Sequence, residues 1–403
     1  MPGYLNALGL ICALGEGKQA VADALFAGDS GGMRAQDGWV TGRSLTVGAV
    51  SAELPPLPNG MQAAFSRNNQ LLLAAALQIE AQIRAAIAQY GAARVGVVLG
   101  TSTSGIHEAS QGIARFVDDG ALPADYCYAQ QEIAAPAIFL AEWLGLSGPA
   151  YCLSTACTSS ARALLSAQRL LQQGVCDAVL CGGVDSLCRL TLNGFTALEA
   201  VAAERCNPFS LNRRGINIGE AAALFVMTRA PLSQAAAGAE PPIALLGGGA
   251  SSDAHHISAP HPEGLGAQQA MRKALAAAGV AAEEIDYLNL HGTATQHNDA
   301  MESLAMQAVF PHGVPCSSTK PLSGHTLGAA GALEAAFCWL TLSAYNRDQR
   351  LPPHLWDGQT DPQLPRLQLV EVHAAAARRP HRLMSNSFAF GGSNLSLILG
   401  ALP

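Results

Sequence analysis

Cys157, His291 and His325 are the residues whose types and settings could do chemistry together. Cys157 sits in Ser154-Thr155-Ala156-Cys157-Thr158-Ser159-Ser160, and His291 opens His291-Gly292-Thr293-Ala294-Thr295. His325 ends Lys320-Pro321-Leu322-Ser323-Gly324-His325. One potential thiolate and two imidazoles point to covalent thioester chemistry, with the histidines handling charge and protons. Each motif follows a strand-like run, and the first and third open helix-like runs. A cysteine there lies at a helix N-terminus, whose dipole favours the thiolate by up to ~2 kcal/mol. From a free value of about 8.5 this leaves the thiol only about half ionised near pH 7. A nearby imidazole is therefore needed as well. Taken singly, a cysteine or histidine in such a place is more often a packing residue. The Gly/Thr-rich turns around all three favour a site.

Helix-like and strand-like runs alternate from end to end and must position these motifs. The pattern predicts a helix over 70–90, strands over 94–100 and 151–156, a helix over 159–173 and a strand over 176–181. A second series follows: strand 243–246, helix 267–278, strand 287–290, helices 299–309 and 326–342, and strand 395–399. His291 thus stands at a strand's carboxyl end, where the active sites of open α/β sheets collect. Such alternation implies sheets with helices on their faces. Residues 235–242 read as a connector, Gly247-Gly248-Gly249 as a turn, and 351–366, with four prolines, as an extended surface loop.

Composition sets the class. The chain has 403 residues, 49% hydrophobic, 13% charged and 5% aromatic, which reads as a tightly packed α/β enzyme. A net charge of −7 argues against general nucleic-acid binding. Only three lysines occur, Lys18, Lys273 and Lys320, and the last lies five residues before His325. Ten cysteines are spread thinly, with no Cys-x-x-Cys pair and no zinc-like spacing, so most should be small buried hydrophobes. Met1 to Leu14 lacks the basic region of a signal peptide, and charges such as Glu142 and Glu334 interrupt every longer apolar stretch. A soluble, cytoplasmic protein in a reducing compartment is expected. Ser317-Ser318-Thr319-Lys320 matches Ser-x-x-Lys, but Lys-Thr-Gly is absent. His255, His256 and His261 have no neighbouring ligand set that would make them a metal cluster.

These motifs, with several others in order, resemble a β-ketoacyl-acyl carrier protein synthase of the elongating type, in the thiolase-like superfamily. The resemblance begins at Gly9-Leu10-Ile11-Cys12-Ala13-Leu14-Gly15 and takes in Asp177-Ala178-Val179-Leu180-Cys181-Gly182-Gly183. It continues through Asn207-Pro208-Phe209, Gly219-Glu220 and Ser252-Asp253-Ala254-His255-His256 to Asn386-Ser387-Phe388-Ala389-Phe390-Gly391-Gly392. It implies a five-layered αβαβα fold from two similar halves, here 1–240 with the nucleophile and 241–403 with both histidines. It also implies decarboxylative Claisen condensation of an acyl-enzyme with a malonyl carrier protein, in fatty acid, aryl polyene or type II polyketide-like synthesis. Cys157 would carry the acyl group, His291 and His325 would bind the malonyl thioester carbonyl, and the backbone N–H groups of Cys157 and Phe390 would form the other oxyanion hole. Lys320 would order His325 while paired to Glu334, and Glu302, Thr293, Thr295 and Phe388 would support the site. The implied partners are an acyl carrier protein bearing acyl or malonyl phosphopantetheine and a second synthase or chain-length-factor chain, as homodimer or heterodimer. No cofactor and no metal are implied.

Three features depart from the family pattern. Ala389 replaces a glycine near the gate, which predicts that the loop carrying Phe390 opens less readily or along another path. Ser210 and Arg214 replace usual acidic positions around Phe209, and the resulting Arg213-Arg214 pair either contacts an acidic carrier protein or is a solvated loop. The polar run 100–105 is expected to border the acyl pocket and suits a specialised chain better than a long saturated one. The rival readings are a noncatalytic chain-length partner, against which the intact Cys-His-His set speaks, and a thiolase, which would carry a second catalytic cysteine where this chain has Phe390.

Overall fold

The computed structural model describes residues 1–232 and 242–402. The first half runs β1 (Gly3–Cys12), β2 (Gly15–Glu16), α1 (Lys18–Ala27), β3 (Met33–Val40), β4 (Arg43–Gly48), α2 (Arg67–Leu77), α3 (Glu80–Tyr90) and β5 (Val95–Gly100). It continues with α4 (Ile106–Asp119), α5 (Ala135–Leu144), β6 (Ala150–Leu153), α6 (Ser159–Gln172), β7 (Ala178–Asp185), α7 (Arg189–Ala197) and β8 (Ala221–Thr228). The second half has β9 (Ile243–Ser252), α8 (Leu265–Ala278), β10 (Tyr287–Asn289), α9 (Gln296–Val309) and β11 (Pro315–Ser317). After these come α10 (Lys320–Ser323), α11 (Ala330–Leu342), β12 (Gln368–Leu369), β13 (Arg382–Phe388) and β14 (Ser393–Ala401).

The strand order β1-β8-β7-β5-β6 is matched position for position by β9-β14-β13-β10-β11. Pairing senses match too: in each half the first two neighbours are antiparallel and the last two parallel. β1 and β9 join the halves edge to edge at Gly3–Leu245 and Tyr4–Ala244. Helices α6 and α11 pack on each other between the two sets of strands. Outside them, α2, α3 and α5 cover the first set, while α8, backed by α9, covers the second. Five layers result, the arrangement expected of the thiolase-like fold. No sequence identity between the halves is evident; the symmetry lives in hydrogen-bond topology. The expected division at 240/241, and 235–241 of the expected connector, lie outside the described residues.

Several expected elements change shape for identifiable reasons. The single helix over 70–90 is two, α2 and α3, bent by 77°. Gln78, at the bend, pairs its side chain with both backbone groups of Leu10, at 3.0 Å each, and so pins the break to β1. Gly247-Gly248-Gly249 is not a turn but the middle of β9. Its glycines admit α8, since a Cβ on Gly249 would lie 2.1 Å from the Ala270 carbonyl oxygen. The helix expected from 326 starts at Ala330, after a 3-10 turn over Leu327–Ala329. The 351–366 segment is irregular as expected, but Leu351, Pro352, Pro353 and His354 are buried rather than on the surface. Among the described residues no single helix is long and apolar enough to cross a membrane.

Candidate active site

Cys157 lies between β6 and α6, and His325 between β11 and α11, the equivalent places of the two halves. Because α6 and α11 pack together, their starts converge and bring the side chains into contact. Ala156 holds a left-handed φ of 52°, a tight turn that sets Cys157 just ahead of the first helical residue. The Cys157 sulfur is 3.0 Å from His325 Nε2. The His291 ring meets the His325 ring edge-on with centroids 5.4 Å apart, and Phe388 packs against His291 at 6.0 Å. All three reactive groups line one cavity of about 490 Å³, with Phe390 at its rim.

The imidazoles are neutral donors. Burial, then the Lys320 ammonium, holds His325 well below the usual histidine range. The same two causes, with His325 added, act on His291. Leu327 N–H donates to His325 Nδ1 at 3.2 Å, so the neutral ring carries its proton on Nε2 and offers it to the sulfur. In this tautomer His325 stabilises a thiolate instead of accepting a thiol proton. His291 Nδ1 has no hydrogen-bond partner among the described residues. Burial pushes the Cys157 thiol up to about 12, opposed by Lys320 and by the backbone N–H groups of Cys157 and Phe390.

Carboxylates brace the site from outside the cavity. Lys320 and Glu334 form a buried pair at 2.5 Å, with side chains 2% and 4% exposed. Burial raises the Glu334 carboxyl against the pull of Lys320. Glu302 accepts from the backbone N–H groups of His291 (2.8 Å) and Gly292 (2.7 Å), and burial pushes it up to about 7. It thus fixes the His291 backbone. Thr295 caps α9, and its hydroxyl pairs with that of Thr293 at 2.9 Å on the cavity wall.

Two expectations are corrected. Arg213 is not a surface cation: it is 4% exposed and paired to Asp361 at 2.6 Å, leaving only Arg214 exposed at the cavity rim. The polar run 100–105 does not line the cavity; Thr101 and Thr103 turn their hydroxyls onto Asp185. Ala389 is outside the left-handed region, so alanine is unstrained there; Gly391 (φ 83°) and Gly392 (φ 77°) carry the turn. The Phe390 loop is tied down by Gly391 N–H to the Ile257 carbonyl, 2.8 Å.

Three residues escaped the sequence reading. Asp299 accepts from Phe209 N–H (2.7 Å) and Ala294 N–H (3.2 Å), and its three-residue spacing from Glu302 on one helix was the available signal. His354 bridges Ser318 N–H and the Pro208 carbonyl, at 3.1 and 3.0 Å, hidden in what read as a surface loop. Phe195 packs its ring 5.7 Å from that of Phe390, and nothing in its sequence setting marked it.

Ligand atoms of Cys157, His291 and His325 lie within 4.8 Å of one another, a spacing open to a soft cation. A neutral His325 binding metal through Nε2 would need its proton on Nδ1, where Leu327 N–H already points. The donor set therefore fits proton-donating better than metal-holding roles.

The pattern of the beta-ketoacyl synthase N-terminal domain matches residues 8–232, and that of the C-terminal domain residues 244–355. The chain belongs to the β-ketoacyl synthase family. Within this family it is 38% identical over 265 residues to 3-oxoacyl-[acyl-carrier-protein] synthase 2 of Rhizobium meliloti (strain 1021), an alignment spanning 63% of this chain and 61% of that relative. Nodulation protein E of Rhizobium meliloti is 32% identical over 363 residues, 87% of each chain. Among solved structures, the ketosynthase (ApeO) in complex with its chain length factor (ApeC) from Xenorhabdus doucetiae superposes with a TM-score of 0.92 and 46% identity, over 100% of this chain and 98% of that one.

Proposed function

We propose that this β-ketoacyl synthase performs decarboxylative Claisen condensation, joining an acyl group on Cys157 to malonyl carrier protein. The supporting observation is the donated Nε2–H of His325 at the Cys157 sulfur, beside a second neutral imidazole in the same cavity. The Cys157 thiol gives up its proton and the thiolate attacks an acyl carrier thioester; the tetrahedral oxyanion faces the Cys157 and Phe390 N–H groups, and the carrier thiolate leaves and takes up the proton that Cys157 released. Malonyl carrier protein then enters. Its thioester oxygen accepts from His291 and His325 as carbon dioxide departs, leaving an enolate on that oxygen. The enolate carbon attacks the acyl-cysteine carbonyl, and expulsion of the Cys157 thiolate releases β-ketoacyl carrier protein. Donors aimed at each developing oxyanion are worth about 3 kcal/mol apiece in such sites.

In this reading Lys320, Glu334, Glu302, Thr293 and Thr295 hold the histidines, Phe388 walls the cavity, and Arg214 meets the acidic carrier at the rim. Residues 1–240 supply the nucleophile and 241–403 the histidines. A fatty acid, aryl polyene or type II polyketide-like product fits the family, and ten free cysteines suit a reducing cytoplasm. The solved ketosynthase–chain length factor complex favours a heterodimer with a related chain, or a homodimer, and keeps a second reading in view: a noncatalytic partner of another ketosynthase. Intact-mass measurement after incubation with acyl carrier proteins of varied length and saturation decides between the two. Acylation at Cys157 followed by condensation with malonyl carrier protein is expected. A folded protein that no member of the panel acylates would be the noncatalytic partner.

A further inference from the structure

Asp185 closes β7, is wholly buried, and lies off the cavity. Its Oδ1 accepts from Thr101 Oγ1 (2.9 Å), Ser102 N–H (2.8 Å), Thr103 N–H (2.8 Å) and Thr103 Oγ1 (2.7 Å). Its Oδ2 accepts from Ala329 N–H at 3.1 Å. Among the described residues no cation is paired with it. A buried carboxylate without a counter-ion is costly unless donors satisfy it, and these five do so.

The donors come from two places. Four belong to the loop after β5, and the fifth belongs to the 3-10 turn that follows His325. In that turn Leu327 has a φ of 52°, a left-handed conformation that a leucine adopts only when its surroundings impose it. That conformation directs Leu327 N–H onto His325 Nδ1, and so keeps the ring proton on Nε2, facing the Cys157 sulfur. Gly328 lets the two segments meet: a Cβ there would lie 2.8 Å from Asp185 Oδ2 and 2.7 Å from Ser102 Oγ.

We propose that Asp185 is a positioning residue for His325, holding Ala329 N–H so that the turn fixes the tautomer and aim of the imidazole at Cys157. Asp185 touches neither sulfur nor ring. Its influence runs through hydrogen-bond geometry, since burial and Lys320 are what displace His325 from its usual range.

The kinetic part of the test rests on the condensing reading; the alkylation part does not. Asp185→Asn presents an amide N–H₂ to backbone donors and loses one face of the clamp. Alkylation of Cys157 by iodoacetamide, followed against pH by intact mass, should slow about ten-fold near neutral pH, with its midpoint moving upward. Malonyl decarboxylation should lose about ten-fold in kcat while KM stays within about two-fold. Ala329→Pro deletes the linking N–H, which the Thr326 carbonyl shares at 3.0 Å, suits the φ of −76° there, and should reproduce both effects. Thr101→Val removes one loop-side donor, together with the acceptor of Ser104 N–H (3.1 Å), but leaves the Ala329 link in place and should leave alkylation within about two-fold. A folded Ala329→Pro protein with the parent's alkylation profile would overturn the proposal, whatever becomes of Asp185→Asn. If the parent protein neither acylates nor decarboxylates, the condensing reading fails, and the alkylation profiles still decide the role of Asp185.

Discussion

His325→Phe keeps a ring in the cavity but removes the N–H that faces the Cys157 sulfur from 3.0 Å. Burial already pushes this thiol up to about 12, so the thiolate is scarce near neutral pH and any stabiliser of the anion shows directly in reactivity. A hydrogen bond to a charged acceptor is worth about 1.5–3 kcal/mol. At roughly 1.4 kcal/mol per decade, that is about ten- to a hundred-fold in thiolate population. Iodoacetamide alkylation at about pH 8 should slow by that factor, with the midpoint displaced upward. His291→Phe is the control, because His291 makes no hydrogen bond to the sulfur, and it should stay within about three-fold. A folded His325→Phe protein alkylated at the parent rate, to within about two-fold, would show that the sulfur does not depend on this N–H, and the neutral-donor assignment would fall.

His291→Ala should leave acylation of Cys157 in place while malonyl decarboxylation, followed by carbon dioxide release, drops about 10²–10³-fold through loss of one oxyanion donor. Glu334→Gln strands the 2%-exposed Lys320 without a counter-ion and should cost about 3–5 kcal/mol in denaturant titration, most of it recovered in Lys320→Met/Glu334→Leu. Burial pushes Glu302 from 4.5 up to about 7 and Asp299 from 3.8 up to about 6. The folded state therefore keeps protons the unfolded chain has released, so their stabilising contribution is complete below the ordinary values and is lost as pH rises through about 7. Glu302→Gln should flatten the fall of stability across that window.

That these three groups would meet was legible because their signals are local: a cysteine before a helix and two histidines in Gly/Thr turns stand out in a few residues. The strand and helix alternation was legible for the same reason. What escaped depends on partners distant in the chain. Arg213 looks like its exposed neighbour until Asp361, 148 residues on, claims it. Gly247 to Gly249 reads as a turn until α8 is seen lying on β9. Thr101 and Thr103 read as a polar pocket wall until Asp185 appears behind them. His354 is hidden among prolines that suggested a surface loop, and only the fold places it between Ser318 and Pro208. The symmetry of the halves left no mark in residue identity, because the same pairing order tolerates different side chains.

Cys157 and His325 occupy matching places in the two halves, 168 residues apart in the chain. On a ribosome the thiol is therefore made long before the imidazole that meets it. Until the second half has been synthesised and has docked its central helix beside the first, Cys157 has neither the N–H from His325 nor the burial that pushes its thiol up. The surroundings of this sulfur are completed as the last act of assembly, so the pH profile of labelling at one cysteine reports whether the halves have come together correctly.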